Sequence, residues 1–109
     1  MNTTNETTIQ QLTRGQGVNV LAAVTGATIV YDDAKNTIRL VFKRQVGRKG
    51  NKLTHLEIAY NTGTDLYDIK AYKLNKKTFE CPMVEDVTDN YAEDLTRNCE
   101  HLTGLCLHF

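Results

Sequence analysis

TIRLVFKRQ, residues 37–45, alternates along its whole length. Ile38, Leu40 and Phe42 point one way, and Arg39, Val41 and Lys43 point the other. A period of two with one apolar face is the pattern of a half-buried β-strand. The neighbouring segments repeat the theme. VGRKGNK (46–52) holds two glycines and an asparagine and reads as a hairpin loop. LTHLEIAY (53–60) is the return strand, with Leu56, Ile58 and Tyr60 on one face. After a turn at 61–64, DLYDIKAYKL (65–74) makes a third strand with Tyr67, Ile69 and Ala71 inward. A turn at 75–77 leads to TFECPMV (78–84), where Phe79, Cys81 and Met83 share a face. Pro82 lacks an N–H for a ladder, which places this strand at an edge. Upstream, TIVY (28–31) reads as a short strand and DDAKN (32–36) as a polar turn.

The period lengthens at both ends. Residues 1–7 read as a disordered tail, and 8–14 as a short helix carrying Ile9 and Leu12. Gly15 and Gly17 interrupt it. In VNVLAAV (18–24) the valines argue for a strand, while Asn19 and the Leu21-Ala22-Ala23 run fit a helix. The helix is the reading adopted, with Thr25-Gly26 as its stop. Residues 89–102 space Tyr91, Leu95, Cys99 and Leu102 as a helical stripe, with Asp89 as cap and Thr103-Gly104 as stop. The sum is one α+β domain over 8–109: short N-terminal helices, a four- to five-stranded antiparallel β-meander, and a C-terminal helix packed on one sheet face.

A length of 109 residues suits one domain with a modest core. With 40% hydrophobic and 24% charged residues, the composition is that of a soluble globular chain. No apolar run approaches the ~20 residues of a membrane span. The polar start MNTTNETTIQQ does not resemble an export signal, so a cytoplasmic setting is expected. Three cysteines do not make a disulfide framework.

The charge is zero in total but sorted along the chain. From Lys35 to Lys77 there are eleven bases against three acids; from Thr78 onward there are seven acids against one base. Two surfaces follow. Lys43, Arg44, Arg48, Lys49 and Lys52 cluster about the hairpin loop, where they can track phosphates or simply keep a strand edge soluble. Glu85, Asp86, Asp89, Glu93 and Asp94 gather about the expected start of the last helix. There they complement its dipole, or meet a basic partner.

Other constellations are weaker. Cys99 with His101, and Cys106 with His108, resemble zinc ligands by type. On a helix, however, Cys99 and His101 face away from each other, and Cys106 and His108 could share a strand face but two ligands do not close a site, so no metal is expected. Gly15-Gln16-Gly17 follows no strand and lacks a third glycine, so it is a turn and not a dinucleotide fingerprint. His55 with Tyr60, and Asp65 with Asp68, are the close polar groupings near strand ends, and turn roles explain them. None combines nucleophile, base and orienting group, so neither catalysis nor a cofactor is expected.

Four segments together resemble a group of small phage-encoded proteins: GVNVLAAVTGA (17–27), LVFKR (40–44), NKLTHLEIAYNTGTDLYDI (51–69) and YAEDLTRNCEHLTGL (91–105). The shared pattern is a Gly-Asn segment ending in Thr-Gly-Ala, an Asp-x-Tyr-Asp strand segment and a helix ending in Thr-Gly-Leu. Val18 and Leu21 depart from it, where the group carries glycine and phenylalanine. The resemblance implies a phage or prophage origin and supplies no catalytic residues. It implies a non-enzymatic accessory protein in the cytoplasm of an infected or lysogenic host. Such a protein would bind a host protein or ribonucleoprotein complex, for example a CRISPR-Cas defence complex. The alternative is a nucleic-acid-binding module using the basic hairpin 43–52. Self-association through the Pro82 strand or the tail is a further expectation.

Overall fold

The computed structural model describes residues 2–46, 53–74, 77–78 and 80–105, with the backbone alone at 44–46. The order is α1 (Thr3–Leu12), α2 (Val18–Thr25), β1 (Ala27–Asp32), β2 (Thr37–Val46), β3 (Leu53–Asn61), β4 (Leu66–Tyr72), β5 (Met83–Asn90) and α3 (Leu95–Thr103). Single 3-10 turns at Asp33–Lys35 and Ala92–Asp94 join β1 to β2 and lead into α3. The five strands form one antiparallel sheet in the order β1-β2-β3-β4-β5, a plain meander.

The alternation in 37–45 does what its pattern requires. Ile38, Leu40 and Phe42 are buried, Val41 is half-buried, and Arg39 and Lys43 are exposed. Ile38 and Leu40 pair with Ile58 and Leu56 of β3, which pair in turn with Ile69 and Ala71 of β4. This inner face carries the core. All three helices contribute to it, through Ile9 and Leu12 of α1, Leu21 of α2, and Leu95, Cys99 and Leu102 of α3. Both glycine stops act as expected. Gly26 and Gly104 take φ of 68°, and their N–H groups return to Ala22 and Glu100 at 2.8 Å. A side chain there would meet the left-handed penalty that glycine avoids.

Three expectations need correction. The segment read as a disordered tail holds half of the first helix, which starts at Thr3 and not at residue 8. Threonine is a poor helix former, so nothing in the local pattern announces it. Tertiary bonds supply the difference. The Asn2 side chain accepts the Asn5 N–H at 2.7 Å as an N-cap. Its Nδ2 donates to the Asp33 carbonyl and to Asn36 Oδ1, and Asn5 Nδ2 donates to Asp33 Oδ1 at 2.9 Å. The turn after β1 thus anchors the start of α1.

The last strand also lies later than expected, at Met83–Asn90 and not at 78–84. Pro82 precedes it, and Cys81 and Met83 are both exposed. Phe79 lies outside the described residues. Among the described residues the last strand does lie at an edge, with β4 as its one neighbour. Third, the final helix is shorter. Asp89 belongs to β5 and does not cap a helix, and Tyr91 is 61% exposed and not part of the apolar stripe. Leu95, Cys99 and Leu102 form that stripe as expected.

Candidate functional site

The acidic residues are rearranged by these shifts. Glu85, Asp86 and Asp89 are exposed along the edge strand, not gathered about a helix start. The helix dipole therefore does not account for them. Asp86 pairs in register with Lys70, and Glu85 with Ala71. Asp89 takes φ of 57° at a register shift between Tyr67 and Ile69, and its N–H donates to Asp68 Oδ1 at 3.1 Å. Glu93 and Asp94 do lie near the helix start, in the 3-10 turn that leads into α3. Glu93 is exposed, and Asp94 is bound to Arg97 at 2.8 Å. The acids thus form a band along the β5 edge that runs on into the base of α3.

Of the basic group, Lys43 is exposed near the end of β2 and Arg44 follows it in the strand. Arg48, Lys49 and Lys52 lie outside the described residues. Cys106 and His108 lie outside them too. Cys99 is buried within α3, where burial pushes its thiol up to about 12, and it packs as a small apolar group of the core. His101 is exposed on the same helix. Among the described residues no three His, Cys, Asp or Glu side chains converge for a metal. No helix among them is long and apolar enough to cross a membrane.

The polar groupings near strand ends resolve into local contacts. The Tyr60 hydroxyl donates to Asp65, and that bond raises the Tyr60 pKa. Asp65 sits at φ 57° in the β3–β4 turn, while Asp68 lies on the opposite side beside Asp89. The Tyr67 hydroxyl donates to Gln11 of α1, and its ring lies 5.3 Å from that of Tyr60. These groups line a shallow polar concavity of about 220 Å³. They fasten α1 to the end of the sheet. His55 does not meet Tyr60; its Nδ1 lies 2.7 Å from Thr54 Oγ1. Burial, and then the nearby Arg39, lower its pKa.

What sequence reasoning missed is the outer face of the sheet. The register aligns outward side chains into rows across β2, β3, β4 and β5. One row is Arg39, Glu57, Lys70 and Asp86. The next is Val41, His55, Tyr72 and Met83. Arg39, His55, Glu57 and Tyr72, with Cys81, border one concavity of about 270 Å³. The core residues of all three helices join the inner face, and no described helix lies on this one. The outward positions can be read from each strand, but the rows need the register, which only pairing fixes.

Comparison with protein-family models, curated proteins and solved structures gives no match for this chain. The functional reading therefore rests on its own surfaces.

Proposed function

We propose that this protein works by binding, and that the acidic β5 edge is the surface offered to its partner. One observation carries the reading: Glu85, Asp86 and Asp89 are all exposed on a strand that, among the described residues, is paired on one side alone, with Glu93 exposed just beyond. An acidic edge attracts a basic surface through its local field, and an unpaired strand can add a main-chain ladder. The partner class is a host protein or ribonucleoprotein with a basic face. The phage-protein resemblance favours a defence complex such as CRISPR-Cas, blocked by occupancy and not by chemistry.

The second reading is a nucleic-acid module using Lys43, Arg44, Arg48, Lys49 and Lys52. The density of bases about one hairpin favours it. One experiment separates the two. Host complexes captured by the immobilised protein are compared with those captured by Glu85→Lys/Glu93→Lys and by Lys43→Glu/Arg44→Glu. Loss of the partner only with the first pair supports the acidic edge. Loss only with the second, with an affinity falling steeply with salt, supports nucleic-acid contact.

A further inference from the structure

Across the outer face the charges of one row alternate in sign: Arg39, Glu57, Lys70, Asp86, one residue per strand from β2 to β5. Within the chain, Arg39 reaches Glu57 at 3.4 Å and keeps a side chain 51% exposed, so much of its charge still faces outward. The adjoining row is apolar and aromatic, and at its end Met83 is 51% exposed. A long basic face would suit a polyanion, whereas this row repels one at every second position. Alternation instead matches a surface whose signs run in the reverse order.

We propose that the outer face is the interface of a two-fold homodimer, with a second copy stacked sheet on sheet about an axis parallel to the strands between β3 and β4. That rotation exchanges β2 with β5 and β3 with β4. Arg39 then faces Asp86 of the second copy, and Glu57 faces Lys70; the symmetry repeats both contacts. In the adjoining row Val41 meets Met83, and His55 meets Tyr72. A two-fold axis along the row would instead set Arg39 on Arg39 and Glu57 on Glu57. The order of signs therefore selects both the occupant and the axis. Aligned packing of two twisted sheets, about 10 Å apart and crossing near −30°, accommodates the contact. Glu85, Asp89 and Glu93 belong to neither row, so these three acids of the edge stay free in the dimer while Asp86 is taken up by it.

The contact is small. Four strands at ~4.8 Å and roughly six residues at ~3.3 Å each project about 400 Å². A standard interface buries about 800 Å² per partner. The dimer is accordingly weak, concentration-dependent and sensitive to salt, since exposed ion pairs are screened.

The test is sedimentation of the full chain from about 1 µM to 1 mM protein, at low and high salt, chosen to bracket a weak interface of this class. The wild type dimerises at low salt and loosens at high salt. Arg39→Asp and Asp86→Arg each set like charges together at two contacts, and each raises the dissociation constant by about tenfold or more. An equimolar mixture of the two variants dimerises again, because every contact in the mixed dimer is once more of opposite sign. Within one chain β2 and β5 stand about 14 Å apart, so an internal ion pair cannot produce that recovery. Circular dichroism checks the folding of each variant, and Glu57→Lys with Lys70→Glu supplies a second pair should the first unfold. A wild type that stays monomeric at 1 mM and low salt overturns the proposal. So does a dimer indifferent to both reversals, a mixture that fails to recover, or a monomer that uses this face for a polyanion or another protein.

Discussion

The Thr96 hydroxyl donates to the Leu12 carbonyl at 2.7 Å, joining the first turn of α3 to the last residue of α1 across 84 positions of sequence. Both residues are buried. Leu12 ends its helix, so its carbonyl has no partner within the helix and needs one from elsewhere. Thr96→Val keeps the shape, removes the donor and leaves that carbonyl dry. The expected cost is about 1–2 kcal/mol, read as a lower midpoint in urea with an unchanged slope.

Asp33 ties the start of α1 to the β1–β2 turn, and its stability contribution depends on pH. The Asn2 N–H is the main cause that lowers its pKa below 3.8, followed by the Asn5 side chain. A depressed folded-state pKa gives stability that is complete above the ordinary value and is lost as pH falls below it. Urea midpoints should fall between pH 4 and pH 2, the usual carboxylate range, more steeply in the wild type than in Asp33→Asn. Equal slopes in the two proteins would remove Asp33 from the account.

Cys81 and Cys99 should differ sharply in reactivity. Cys81 is exposed, while Cys99 is buried with its thiol raised to about 12. At pH 8 the thiolate of Cys99 is on the order of 10⁻⁴ of the total, and the thiolate is the reacting species. Brief alkylation of the native protein followed by peptide mass spectrometry should mark Cys81 and leave Cys99 until denaturant is added.

The left-handed backbone at Asp89 gives a signed pair of substitutions. At φ 57° glycine fits without strain, while a β-branched side chain does not. Asp89→Gly should stay within about 1 kcal/mol of the wild type, because the N–H bonded to Asp68 is kept. Asp89→Val should be less stable than Asp89→Gly by about 1–2 kcal/mol in thermal melts. No difference between them would mean that the register shift relaxes freely.

The centre of this fold was legible and its ends were not, for physical reasons. In β2, β3 and β4 one face is dry and the other wet, so Ile38, Leu40, Leu56, Ile58, Ile69 and Ala71 announce themselves by alternation. The edge strand has little to alternate. Of its eight residues only Asn90 is buried and Val84 and Val87 half-buried, and register shifts on β4 break the parity. The first helix is hidden by its threonines and depends on Asn2, Asn5 and Asp33, residues about 30 positions apart. Glu85, Asp86 and Asp89 belong to the edge strand and not to the helix start, because β5 runs later than its sequence pattern suggests. The row of Arg39, Glu57, Lys70 and Asp86 was out of reach, since it takes one residue from each of four strands.

The meander wiring also sets the order in which the chain can assemble. Every strand pairs with its neighbour in sequence, so the sheet closes only short loops on the way to its native form. The clasp between Thr96 and Leu12 closes nearly the whole chain and is best placed to form after the barrier is crossed. Loosening that clasp should leave the folding arm of a chevron almost unmoved and raise the unfolding arm in parallel, so that escape from the native state is faster. It is a lock on lifetime more than a guide to folding.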